Sequence, residues 1–184
     1  MNDQANARHD WLNGWRIAGW GAALALLALP AIAMHFTDEV HWTPLDFGFA
    51  AVLLFALGTG LELAIRFGGR TPKGLGIAIA SVAGFLTLWA NFAVGFIGAE
   101  SEPVNAGFLL LVIGGVLLSL IVRFRPSALR WIMALIATGQ PVLGVAALWL
   151  MPGHAVEWGV LFVFAAIWSA AALCFHRAHR RATH

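Results

Sequence analysis

Runs of roughly 20 apolar residues recur along this chain, the length a helix needs to cross a hydrocarbon core of about 30 Å. The links between them are short and polar, and none is long enough to fold as a soluble domain. Of the 184 residues, 60% are hydrophobic and 11% charged. A soluble domain carries about 25% charged residues, so this chain has too little polar surface to cover a globule in water. The expected fold class is therefore an all-α membrane protein, a bundle of six transmembrane helices. The spans run from Gly14 to Phe36, Pro44 to Arg66, Gly76 to Gly98, Ala106 to Arg123, Trp131 to Met151, and Val156 to Phe175. Residues 1–13 read as a short polar cytoplasmic N-terminus and residues 176–184 as a basic cytoplasmic tail. Thr43-Pro44, Thr71-Pro72, Glu102-Pro103, Arg125-Pro126 and Met151-Pro152 mark helix boundaries, because proline at a first helical turn forfeits no hydrogen bond. A faint repeat, Trp42 before Phe47-Gly48-Phe49-Ala50-Ala51 and Trp158 before Phe162-Val163-Phe164-Ala165-Ala166, is compatible with three helical hairpins.

Basic residues set the orientation, since Lys and Arg in short loops stay cytoplasmic. Arg8 and Arg16 precede the first span, Arg66, Arg70 and Lys73 join the second to the third, and Arg123, Arg125 and Arg130 join the fourth to the fifth. Arg177, Arg180 and Arg181 follow the sixth, so all eleven fall on one side. The opposite links carry Asp38, Glu39, Glu100, Glu102 and Glu157. Both chain ends are thus expected in the cytoplasm. A cleavable signal peptide is the rival reading of the first span, with Ala31-Ile32-Ala33 as its cleavage site, but the apolar run from Ile17 to Met34 is long for one.

Lipid is as apolar as leucine, so helices in it associate through small residues. Gly14, Ala18, Gly21, Ala25 and Ala28 form such a stripe on the first span, and Gly48, Ala51 and Gly58 on the second, continued by Glu62. Ala80, Gly84, Thr87, Asn91, Gly95 and Gly98 form one on the third. Pro30 and Pro141 are expected to kink their helices.

Within these spans Glu62 is the first candidate for function, about 10 Å to the cytoplasmic side of the midplane at 1.5 Å per residue. An acid at that depth marks either an ion path or a structural pair, here with Arg66 one turn on. Thr59, Ser119, Thr138 and Ser169 share its depth and are candidates to hydrogen-bond it. Asn91 and Gln140 lie near the midplane, placed to bond each other or the carbonyl that Pro141 leaves without a donor. Asp46, three residues after Thr43, reads as the acid of a capping box. His35, Asp38, His41 and His154 are weak metal candidates, imidazole and carboxylate being suitable for zinc, copper or manganese. A haem between outer-face histidines is the least favoured option. No cofactor is otherwise expected. Cys174 is the only cysteine and tyrosine is absent, which excludes an internal disulfide and a tyrosyl radical. Nothing resembles a basic face for nucleic acid, and no nucleotide-binding glycine loop, nucleophile elbow or zinc-protease helix appears, so catalysis has no support in the sequence. Of the nine tryptophans, Trp11, Trp15, Trp131, Trp42, Trp149 and Trp158 fall at the expected interfaces as aromatic belts.

Two segments carry a resemblance. One runs from Thr37-Asp38-Glu39-Val40-His41-Trp42 through Asp46 to Gly58-Thr59-Gly60-Leu61-Glu62-Leu63. The other is Trp89-Ala90-Asn91-Phe92-Ala93-Val94-Gly95-Phe96-Ile97-Gly98-Ala99-Glu100 with Glu102-Pro103-Val104-Asn105. They resemble a group of small, uncharacterised multi-pass proteins of bacteria. The resemblance implies the bacterial inner membrane, no particular activity, and pattern residues at Asp46, Glu62, Asn91, Glu100 and Asn105.

Three functions follow as expectations. The first is a non-catalytic accessory protein or complex subunit, whose partners are the lipid bilayer, other membrane subunits or further copies of itself. The second is a small proton-linked transporter or channel using Glu62. The third is a periplasm-facing metal or haem protein. Orientation is tested directly by single cysteines introduced into a Cys174→Ser background. Positions Glu39, Ser101 and His154 should react with an impermeant thiol reagent from outside the cell, and Arg70, Ser127 and Arg180 should not. Labelling of position 70 in intact cells would reverse the assignment.

Overall fold

Why the chain breaks into helices where it does is visible at their ends. In the computed structural model, which describes residues 14–98 and 102–183 with the Trp15 side chain excepted, six helices follow one another. They are α1 Gly14–Ala33, α2 Pro44–Phe67, α3 Pro72–Ala93, α4 Asn105–Ile121, α5 Pro126–Leu150 and α6 Trp158–Ala182. The expected polar N-terminus, residues 1–13, and Glu100 lie outside the described residues. Pro44, Pro72 and Pro126 each open a helix, where a missing N–H costs nothing. Thr71 caps α3 by accepting a hydrogen bond from the Gly74 N–H at 3.3 Å. Both α1 and α5 continue through their internal prolines, Pro30 and Pro141. Among the described residues no strand forms, and a single antiparallel bridge joins Ile97 to Val156.

Five of the helices are long and apolar enough to cross a membrane, and α4 is shorter at 17 residues. At 1.5 Å per residue α4 rises about 25 Å, close to the lower limit for a span. The bounds differ from the sequence expectation at several helix ends, and the first helix stops at Ala33 rather than Phe36. The third helix starts at Pro72 rather than Gly76 and ends at Ala93 rather than Gly98, because the backbone turns at Gly95 with φ 75°. The fifth starts at Pro126, five residues before Trp131. The fourth ends at Ile121, since Arg123 and Phe124 both adopt φ 53°. The sixth runs on to Ala182, taking most of the basic tail into helix, where His179, Arg180 and Arg181 suit the negative end of the helix dipole.

Two compact units divide the chain, Met1–Gly58 and Thr59–His184, with the division inside α2. In the first, the Trp20 ring lies over Gly58, 2.7 Å from where a Cβ would stand, and 5.7 Å from the Phe55 ring. In the second, α3, α4, α5 and α6 close a ring in which each helix packs on two neighbours. Two hairpins, α3–α4 and α5–α6, are joined through α4 against α5 and α3 against α6. A larger apolar cluster centres on Leu129, Met133, Ile136, Val112, Trp168 and Phe175. A smaller one, at the end where Glu102 and Glu157 stand, gathers Phe96, Ile97, Phe108, Ala147, Met151 and Leu161. There the Phe96 ring lies 4.7 Å from Phe108 and 5.0 Å from Phe164. Aromatic pairs of this kind contribute about 0.5–1.5 kcal/mol beyond the area they bury.

Glycines on α3 differ in how closely their neighbours approach. A Cβ on Gly84 would meet Val112 at 3.6 Å and Trp168 at 3.8 Å, ordinary contact distances. Gly74 is different, for a Cβ there would run into the backbone of Gly68 and Gly69 and the carbonyl of Ala64. Backbone cannot step aside as a side-chain tip can. Gly74→Ala should therefore cut the yield of folded protein severalfold, while Gly84→Ala should leave yield and thermal midpoint within error. Equal tolerance in a detergent-stability assay would show that the α2–α3 turn is looser than described.

Candidate functional site

Three buried polar side chains of the second unit, Thr87, Asn91 and Gln140, fall at the seam between its two apolar clusters. On α3 the larger cluster reaches Leu88 and the smaller begins at Ala90, which puts Thr87 and Asn91 at the join. On α5 the join lies between Ala137 and Leu143, and on α6 between Phe164 and Ile167. Gln140 and Trp168 stand there. Thr87, Asn91, Gln140 and Trp168 are all buried.

Most of this layer is held by hydrogen bonds that fix the fold. The Thr87 hydroxyl donates to the Ala83 carbonyl at 2.7 Å and accepts from the Trp168 indole N–H at 3.2 Å. This ties α3 to α6. Asn91 Nδ2 donates to the backbone carbonyl of Asn105 at 3.1 Å. Asn105, 1% exposed at the start of α4, then holds the segment that follows α3. Its Oδ1 accepts from the N–H groups of Phe96 at 3.1 Å and Ile97 at 3.2 Å, and its Nδ2 donates to the Ile97 carbonyl at 3.1 Å. Phe96 and Ile97 are buried, so their backbone groups need partners away from water. One carboxamide supplies all three. The Ile97–Val156 bridge carries the same segment across to the link between α5 and α6.

Gln140 is the exception. It is fully buried, yet neither Oε1 nor Nε2 has a hydrogen-bond partner, and Asn91 Oδ1 is likewise unmatched. The expected bond between Asn91 and Gln140 is not formed: Asn91 Nδ2 turns to the Asn105 carbonyl, and Asn91 Oδ1 and the Gln140 amide stay unmatched. Nor does Gln140 serve the carbonyl of Ala137, which Pro141 leaves without its helical donor. These groups are neutral donors and acceptors. They can hold a polar neutral molecule, but they supply no acid, base or nucleophile.

Glu62 lies half-buried on α2, with Arg66 one turn on and exposed. Three of the four hydroxyls expected around it are engaged or placed elsewhere. Ser119 donates to the Gly115 carbonyl at 2.7 Å. Thr138 is exposed and donates to Ala134 and Leu135 carbonyls of its own helix at 3.0 and 3.1 Å. Ser169 is exposed. Hydroxyls inside a helix readily turn back onto the preceding turn, and shared depth gave no information about the face.

Asp46 behaves as its spacing implied. Its Oδ2 accepts from the Thr43 N–H at 2.7 Å and the Thr43 hydroxyl at 2.8 Å, while its own N–H donates to Thr43 Oγ1 at 3.3 Å. This is a reciprocal cap and accounts for the residue in full. Among the candidate metal ligands, His35 Nδ1 donates to the Ala31 carbonyl at 2.8 Å, and His154 Nε2 stands 3.8 Å from Glu102 Oε1. Among the described residues, no three His, Cys, Asp or Glu side chains gather as a metal site would require. The spacing of His35, Asp38 and His41 therefore does not become a ligand set.

Sequence reasoning missed the buried Phe96-Ile97 segment and the Thr87–Trp168 bond. The signal for the first was Gly95 and Gly98 on either side of two large apolar residues, both glycines at positive φ (75° and 66°). For the second there was none, because Trp168 has the same composition and setting as a lipid-facing tryptophan. Compared with protein-family models, with curated proteins and with solved structures, the chain matches none.

The hydrogen-bond pattern separates Asn105 from Gln140. Asn105→Leu leaves three buried backbone groups unpaired, each costing about 1–3 kcal/mol, and should lower the thermal midpoint sharply. Gln140→Met removes an amide that has no partner and should leave the midpoint unchanged or raise it. Thermal unfolding in one detergent compares them, and a larger loss from Gln140→Met would reverse the assignment.

Proposed function

We propose that this chain is a non-catalytic accessory protein or subunit of a membrane complex, resident in the bacterial inner membrane with both ends in the cytoplasm. The observation that carries the reading is the state of α1. No residue of its apolar window Arg16–Ala33 is buried. Nothing stands within 4 Å of a Cβ built on Gly14, Gly19 or Gly21. By contrast Gly60, Gly76, Gly107, Gly115, Gly139 and Gly144 each meet a side chain of their own unit. Small residues let helices approach closely in lipid, and those of α1 are available for that purpose. The bacterial setting rests on the resemblance of the segments around Asp46 and Asn91, and the direction of insertion on the basic residues.

Support also comes from the polar interior. Thr87, Asn91 and Asn105 are engaged in bonds that hold helices and a turn in place. Proton-linked transport through Glu62 competes with this reading and is favoured by the unmatched Gln140 amide. A wild-type proton flux in proteoliposomes, abolished by Glu62→Gln, would install transport in its place.

A photo-crosslinking amino acid at Ala18 or Ala25 should give a discrete protein adduct in membranes, and Gly21→Leu should abolish it without loss of the folded chain. Adducts with lipid alone, together with migration as a single 19.7 kDa chain in mild detergent, would overturn the subunit reading.

A further inference from the structure

At the start of α5 a guanidinium is held in place without a carboxylate. Arg130 Nε donates to the Ser127 carbonyl at 3.2 Å, and its NH1 lies 3.3 Å from His176 Nδ1 on α6. Arginine can only donate, so His176 Nδ1 is the acceptor and its proton sits on Nε2. The same guanidinium lies 5.3 Å from the centre of the Trp131 ring, which is 68% exposed. Three contacts thus fix the group, and all of them leave its charge uncompensated.

The surroundings are of one sign. Arg123 and Arg125 precede α5, and Arg177, Arg180 and Arg181 follow His176 on α6, all exposed. Among the described residues, none of these arginines has a carboxylate within ion-pair distance. Glu157, before the first residue of α6, is about 28 Å from His176 at 1.5 Å per residue. Directly beyond Arg130 the character changes. Trp131, Leu135, Val142 and Trp149 succeed one another at helical spacing on α5, and every one is exposed. A fixed cation thus stands at the head of an apolar stripe.

We propose that this end of α5 and α6 is a binding site for an anionic phospholipid, with Arg130 as its anchor. The guanidinium fork and the free Nε2–H of His176 receive the phosphate. Arg123, Arg125, Arg177 and Arg180 supply the surrounding positive field. The acyl chains lie along Trp131, Leu135 and Val142. A soluble acidic peptide or a nucleic acid has no counterpart for the stripe, and a zwitterionic lipid has none for the uncompensated charge. Holding the guanidinium beforehand reduces the ordering cost of binding.

The test is native mass spectrometry of the full chain, released from detergent with equal amounts of phosphatidylglycerol and phosphatidylcholine. Phosphatidylglycerol should be retained preferentially. Arg130→Gln should weaken that retention about fivefold, the worth of one basic residue near a membrane surface, with Arg70→Gln showing a clearly smaller loss. If Arg130→Gln does not fold, His176→Ala, at an exposed position, releases the guanidinium and should weaken retention as well. Equal retention of the two lipids would overturn the site. So would unchanged retention in the Arg130 or His176 variant, or an equal loss from Arg70→Gln, which would indicate a diffuse surface charge.

Discussion

A backbone amide inside a bilayer must find its partner within the protein, because no water is there to substitute. Helices meet the requirement unaided, and six of them make up nearly all of the described chain. The difficulty arises where a helix stops while its continuation stays buried. That happens where α3 ends at Ala93 and the chain turns inward through Phe96 and Ile97. The side chain of Asn105 answers for the backbone there. With it the turn can fill the end of the bundle with aromatic contacts, and without it the same residues would have to be exposed or helical. The placement of α4, which starts at Asn105, depends on the same side chain.

What could be read from the sequence follows the same physics. Helix number came from the length of apolar runs, and Pro44 marked a start because proline suits a first turn, whereas Pro72 and Pro126 were read as boundaries with the spans placed four and five residues after them. The cap formed by Thr43 and Asp46 was legible because both partners are local. Faces were less legible. Ser119, Thr138 and Ser169 share a depth with Glu62, yet depth along a helix says nothing about rotation around it, and two of the three look outward. Asn91 and Gln140 were recognised as interior, but the choice between bonding each other and bonding backbone depends on the turn after α3. That turn was read as helix. The third span was placed from Gly76, yet the helix already runs through Gly74 and Gly76, where the missing side chains permit close approach to neighbouring elements.

The two units use small residues differently, and this bears on function. In the second unit, most glycine faces are filled by leucine, isoleucine, tryptophan or backbone from the same unit. In the first, Trp20 covers Gly58, while Gly14, Gly19, Gly21 and Gly48 are uncovered. Helix association in lipid relies on close contact rather than on water exclusion. Gly14 and Gly21, two turns apart on α1, have no side chain of their own unit against them. The polar interior of the second unit, by contrast, is mostly engaged in holding itself together.

The Ile97–Val156 bridge, with His154 and Glu102 beside it, fastens the α3–α4 link to the α5–α6 link. Its mechanical consequence is a bundle clamped at one mouth. Hairpins joined in this way are held in register at that rim, at a point where neither link is helical. The arginines occupy the opposite rim, where the contact between Arg130 and His176 joins α5 to α6 directly, so the bundle is tied at both ends by different chemistry.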